Sequence, residues 1–353
     1  MKIFAIAFIF LFSGLLTAQT NYTDINTEIR KGNFTKAENM IDEKINSGDV
    51  SETEKLNLEF QKERLDRIRK DFRKTEEDIL NYVKQYYPEA DEKMLEKWEE
   101  EGSLEFMMID GEKKYFNRSH TNLFLINKEA KAQKEKVEGK KEDGLYVFLK
   151  DYLPKVVDEF KETGNNILTP EEFQINYKLT VDAGAVPEGE TIRAWLPFPK
   201  ENHDRQGSVE LISVNSDEYV IADDSNFHRT IYFEKTAEEG KPTVFEFALN
   251  YKGFNEYYDL SPDKIKPYDE ESELYKNFTS EREPHIVFTD EIKNLSAKII
   301  GDETNPYLKA KKIFTWISEN IPWAGAREYS TIENISDYCI KNMHGDCGIK
   351  TIL

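Results

Sequence analysis

Two cysteines in 353 residues leave no material for a disulfide framework or for a zinc site of the usual four ligands. Positive charge is also short: 48 Lys and Arg face 68 Asp and Glu, a formal net charge of -20. That balance argues against a nucleic-acid binder, which needs a basic footprint to replace phosphate counterions, and against docking on anionic lipid. Long apolar runs are missing too, except for one at the N-terminus. Aromatic residues are plentiful, with 22 Phe and 18 Tyr. Disordered chains lack them, so this chain can build cores despite 33% charged residues. The length predicts two or three domains.

Residues 1–18 read as an export signal. Lys2 supplies the positive start, Ile3 to Leu16 the apolar run, and Leu16-Thr17-Ala18 a cleavage site before Gln19. The run is short for a membrane span, although a retained N-terminal anchor is the alternative. The expectation is a mature chain that is exported, to the periplasm, the cell envelope or the outside, with no transmembrane segment after cleavage.

Residues 19–165 read as a helical N-terminal region. Ala37, Ile41 and Ile45 repeat at helical spacing, Ser51 and Glu54 form a capping box, and Leu58, Leu65, Ile68 and Phe72 continue one face. Asp110-Gly111 between two apolar-rich runs predicts a hairpin near 104–116. The region is either a partner-binding module, which would make a protein partner on these helices possible, or a charged spacer. The period then changes to two. Phe173, Ile175, Tyr177, Leu179 and Val181 alternate, as do Ile192, Ala194 and Leu196, and later Phe245, Phe247, Leu249 and Tyr251. With three shorter strands between them, residues 166–260 predict an antiparallel β-sandwich. Residues 261–353 return to helix, with Ile292, Leu295 and Ile299 on one face. Asn305-Pro306 caps the next helix, whose stripe of Tyr307, Ala310, Phe314 and Ile317 is expected to be core. The fold class is therefore multidomain α+β.

The chemistry concentrates at the last ten residues. Gly345-Asp346 signals a turn and a helix cap, and Ile349, Ile352 and Leu353 continue at helical spacing. Cys347 then falls in a first turn, where unpaired backbone N–H groups stabilise a thiolate and later an oxyanion. Gly345 and Gly348 leave room for a substrate carbonyl. Two plainer readings stand beside this one: an inert buried cysteine, or a Cys339–Cys347 disulfide in an exported chain. Cys339, inside an apolar helix-like run, reads as core. His344 reads as lying on the turn outside the helix, and His120, His203, His228 and His285 as surface or structural.

The block Ile321-Pro322-Trp323-Ala324-Gly325-Ala326-Arg327-Glu328-Tyr329-Ser330-Thr331-Ile332, then Tyr338-Cys339, then His344-Gly345-Asp346-Cys347-Gly348 resembles the start of a bacterial transglutaminase-like domain. The resemblance covers about residues 285–353. It implies a papain-like α+β core in which a cysteine on a helix N-terminus is followed by a sheet carrying His and Asp. Carried over, Cys347 is the nucleophile, Trp323 and Tyr329 are candidates for the cleft wall, and Gly345, Asp346 and Gly348 form the turn. The implied reaction attacks an amide of a protein or peptide substrate, forms an acyl-enzyme, and ends in hydrolysis or acyl transfer. No metal and no organic cofactor are implied. The superfamily's His and Asp come well after the cysteine, so the expectation is a core complete only in a longer parent, with these 353 residues inactive alone. The rival is a non-catalytic exported binding or scaffold protein, which helices and a sandwich fit equally well.

Overall fold

The computed structural model describes residues 22–353, so the expected export signal lies outside the described residues. In chain order come α1 (Thr23–Arg30), α2 (Phe34–Asn46), α3 (Glu52–Asp71), α4 (Glu76–Val83), α5 (Glu92–Glu100), the strands β1 (Phe106–Ile109) and β2 (Glu112–Tyr115), α6 (Ser119–Ile126), α7 (Lys128–Glu138) and α8 (Gly144–Thr163). Then follow β3 (Ile167–Val181), β4 (Thr191–Pro197), β5 (Gln206–Val214), β6 (Tyr219–Ile221), β7 (Thr230–Thr236) and β8 (Thr243–Glu256). The chain ends through α9 (Glu273–Thr279), α10 (Asp290–Ile300), α11 (Pro306–Asn320), α12 (Ile335–Asn342) and α13 (Cys347–Ile352). The protein is thus mixed α/β, with helices and several small sheets. Among the described residues, no helix is long and apolar enough to cross a membrane.

Two compact units divide the chain. One is Glu142–Ser261; the other joins the described residues through Lys141 to Pro262–Leu353. This partition differs from three consecutive segments. The final segment shares a unit with the N-terminal helices, and α8 leaves them for the strands. The reason is tertiary. Tyr152 of α8 accepts a hydrogen bond from Asn255 at 2.8 Å, and Phe160 packs on Tyr257 at 4.8 Å. Helical periodicity reveals a helix but not its partner.

The strand unit is a sandwich of two three-stranded antiparallel sheets, in the orders β3-β8-β5 and β4-β7-β6. Alternation supplies its core: Phe245, Phe247 and Leu249 of β8 share one buried cluster with Ala194 of β4 and with Ile231 and Phe233 of β7. Tyr177 faces Phe247 across the β3–β8 ladder with rings stacked at 5.0 Å.

In the helical unit, the hairpin is tied to α2 from a distance. Asp110 and Gly111 both take positive φ, as a tight two-residue turn requires. The α2 cap residue Asn33 makes no capping bond. Instead, the Asp110 carboxylate accepts from Thr35 N at 2.9 Å and from its hydroxyl at 2.8 Å. Gly32, at φ +80°, permits the approach, since a Cβ there would strike the Met108 carbonyl oxygen. Ile25, Phe34, Ile41, Leu58, Leu65, Ile68 and Phe72 then close over α1–α3. A second cluster, including Ile79, Val83, Leu95, Trp98 and Leu123, joins α4–α6.

The stripe on α11 is a correction. Among the described residues, neither α10 nor α11 buries a single residue, and Phe314 is 72% exposed. The two helices leave an open apolar groove lined by Ile292, Leu295, Ile299, Trp316, Ile317 and Leu353. Amphipathic spacing marks a face that favours cover; it does not supply the cover.

Candidate active site at the start of the last helix

Asp346 is the N-cap of α13, and its Oδ1 accepts from Ile349 N at 3.0 Å. Cys347 follows as the first helical residue and is exposed. The turn is anchored from beneath. Ile349 is fully buried with Ile321, Ile332, Ile335 and Cys339. Gly345 pairs with Trp323 in an isolated parallel bridge, its carbonyl accepting from Ala324 N at 3.1 Å and its N–H donating to Pro322 O at 3.3 Å. A Cβ at Gly345 would come within 2.5 Å of the Ile349 side chain, so glycine is required for this close approach.

Tyr329 comes to the same point from the preceding loop. Its hydroxyl donates to Asp346 Oδ1 at 2.6 Å, the oxygen that also caps the helix. It lies directly over Gly348, where a Cβ would collide with it. Burial, then the Asp346 carboxylate, then the neighbouring Cys347 sulfur push the Tyr329 phenol up to about 12, so it stays a neutral donor at physiological pH. Trp323 is 47% exposed, with the Arg118 guanidinium 6.0 Å from its ring centre. The structure therefore brings Tyr329, Asp346, Cys347 and Gly348 together on one turn, with Gly345 and Trp323 bracing it.

The two cysteines are free and differ sharply. Cys339 is fully buried, and desolvation pushes its thiol up to about 11. His344 does not serve Cys347 in this structure. It is only 3% exposed, lies edge-on to Tyr338 at 6.4 Å, and burial pushes its imidazole down to about 4. Among the described residues, no side chain is hydrogen-bonded to the Cys347 sulfur, and no group of three His, Cys, Asp or Glu is placed to hold a metal ion.

Residues that sequence reasoning missed hold this loop from far away. Asn122 of α6 grips Gly325 twice: its Nδ2 donates to the Gly325 carbonyl at 2.8 Å, and its Oδ1 accepts from the Gly325 N–H at 2.9 Å. Asp71 accepts from Glu328 N at 2.7 Å, Arg67 donates to Ser330 Oγ at 3.2 Å, and Tyr338 donates to Glu105 at 3.0 Å. Glu105 is largely buried, its side chain 16% exposed, and desolvation raises its carboxyl. With separations of 203 to 263 residues, no local pattern announces these pairs.

No family model matches the sequence, and no curated protein does. Among solved structures, the chain is similar to a protein from Cytophaga hutchinsonii described as a "Putative Cysteine Protease", at a TM-score of 0.37 and 16% identity. The likeness covers 52% of this chain and 63% of that one, so this chain spans less than two thirds of that protein's length. Agreement this loose says nothing about chemistry, and the site rests on its own geometry.

Proposed function

We propose that this chain carries the nucleophile of an exported transglutaminase-like cysteine enzyme acting on amide or peptide bonds of a protein or peptide. The observation that carries the reading is the exposed Cys347 at a capped helix start, with glycine on one side and the Tyr329 hydroxyl beside it. The Cys347 thiolate attacks the amide carbon, and the carbonyl oxygen becomes an oxyanion, for which the N–H groups of Cys347 and Gly348, not engaged by the Asp346 cap, would be the donors. Collapse forms a thioester and releases an amine, which takes a proton. Water or a second amine then attacks the thioester and restores the thiol, giving hydrolysis or transfer. The base that moves these protons belongs after the cysteine in the superfamily's order.

The test is selective alkylation. With iodoacetamide near neutral pH and peptide mass mapping, Cys347 is expected to react faster than glutathione does and well before Cys339. A binding or scaffold protein has no use for an activated thiol. Reaction of Cys347 no faster than glutathione, or preferential labelling of Cys339, would overturn the assignment.

A further inference from the structure

A cavity of about 590 Å³ opens inside the helical unit, between the α1–α3 layer with its hairpin and the stretch from Arg327 to Tyr338. Ile29, Met107 and Ile332 give it apolar walls. Its charged lining runs against the composition of the protein: Arg30, Lys31, Arg64 and Arg327 outnumber Glu333 and Asp337 in a chain of net charge -20.

Arg64 and Arg327 are the informative pair. Their side chains are only 16% and 14% exposed. Each reaches one carboxylate, and only at 3.9 Å: Glu333 for Arg64 and Glu105 for Arg327. Glu333 is itself 76% exposed, so it neutralises weakly. Arg64 donates from Nη2 to the Thr331 carbonyl at 3.2 Å and from Nη1 to Gln61 Oε1 at 3.4 Å, yet neither arginine's buried Nε has a hydrogen-bond partner. Arg327 lies between the rings of Phe72, at 6.0 Å, and Tyr338, at 5.1 Å. Those rings fix its position but leave its fork of donors unmatched. Burial destabilises the charged form of Arg64, Glu333 opposes that effect, and the positive charge of Arg327 adds a smaller push in the same direction as burial. A buried charge is costly unless it is paired and hydrogen-bonded, and two of them share one cavity here, each with a single carboxylate no nearer than 3.9 Å.

We propose that this cavity binds a carboxylate carried on an apolar body, with Arg64 and Arg327 holding the carboxylate and Ile29, Met107 and Ile332 receiving the apolar part. The planar guanidinium matches a carboxylate through two parallel hydrogen bonds, which a round point charge cannot provide. The C-terminal residue of a peptide and a fatty acid both present this chemistry. The inference is independent of the reaction at Cys347.

Isothermal titration calorimetry on the full chain tests it with four probes: N-acetyl-leucyl-leucine as the free acid, the same peptide as its C-terminal amide, octanoate, and inorganic phosphate. The free acid is expected to bind at least about tenfold more tightly than the amide, the contrast that a charge-assisted hydrogen-bonded pair produces. Arg64→Gln should bring the acid down to the level of the amide. Arg64→Lys, which keeps the charge and loses the fork, should fall between them. Tighter binding of the peptide acid than of octanoate assigns the site to peptide ends, and the reverse assigns it to lipid acids; either supports the carboxylate site. Equal binding of acid and amide, tighter binding of phosphate than of both acids, or no heat from any acid up to about 10 mM would overturn it. The acid–amide contrast is read on the unaltered protein, so it stands even if an Arg64 variant fails to fold.

Discussion

Residues 290–317 and 321–353 are neighbours in sequence and alike in pattern, yet the protein treats them differently. Both are amphipathic by spacing. The later stretch is sealed: Ile321, Ile335, Cys339 and Ile349 are all at most 1% exposed, and partners on α3 and α6 hold its loop. The earlier stretch is open, with no buried residue on α10 or α11 among those described. The difference shows what an apolar stripe encodes. It specifies a helix and the face that gains from burial, while the burial itself depends on what the rest of the fold brings to that face. Here the N-terminal helices come back, more than 200 residues later in the chain, to seal the turn that carries Cys347.

The most severe test of that contrast is a matched pair of truncations. Ile335→Ala removes a side chain that is 1% exposed and should cost about 2–5 kcal/mol, because the cavity it leaves cannot collapse fully. Phe314→Ala, at a position 72% exposed, should change stability by no more than about 0.5 kcal/mol. Urea unfolding followed by tryptophan fluorescence measures both. Equal losses would show that α11 is covered in solution and would end the distinction between the two stretches.

The grip of Asn122 on Gly325 comes next. Asn122→Ala strips partners from one buried N–H and one buried C=O, at about 1–3 kcal/mol for each group left unsatisfied. The effect should be local as well as global, with faster amide exchange at Gly325 and altered alkylation of Cys347. If stability falls while the Cys347 rate stays fixed, the N-terminal helices serve stability and do not position the site.

These cases also show how much could be read in advance. Cap, glycine and apolar spacing are all local around Asp346, Cys347 and Ile349, so the helix start was visible in ten residues. Strand alternation likewise exposed the sandwich, since period-two burial is written into each strand. The Asn122–Gly325 pair, the Asp110 cap on α2 and the pairing of α8 with strands were not visible. Each depends on two distant segments meeting, and neither segment alone carries a distinguishing pattern. The Tyr329 hydroxyl over Gly348 belongs to the same group: the sequence marked both residues but not their contact.

His344 extends the contrast to pH. Its imidazole, buried in the sealed stretch, titrates near 4 instead of the ordinary 6.5. The unfolded chain therefore binds a proton that the folded chain refuses throughout that interval. The contribution of His344 to stability is full above about pH 6.5, falls as the pH drops toward 4, and is lost by up to about 3 kcal/mol over the window before levelling off. His344→Gln should flatten that part of the curve relative to the unaltered protein, measured by urea unfolding at a series of pH values. An unchanged slope would mean that the imidazole is reached by water.

The smallest expected effect separates two duties of Asp346. As N-cap it accepts from Ile349 N; as a carboxylate it also accepts from the Tyr329 hydroxyl. Asn caps helices about as well as Asp does, so Asp346→Asn should keep the cap and alter stability by only a few tenths of a kcal/mol, while Asp346→Ala should cost about 1 kcal/mol. The asparagine variant still offers Tyr329 an oxygen, but without the charge that makes the bond strong. The Cys347 alkylation rate then decides between the duties. If Asp346 only caps, the asparagine variant keeps the rate of the unaltered protein and only the alanine variant changes it. If the charged bond to Tyr329 sets the surroundings of the thiol, Asp346→Asn and Tyr329→Phe shift the rate alike, and combining them adds nothing further, as expected for two substitutions that break one interaction.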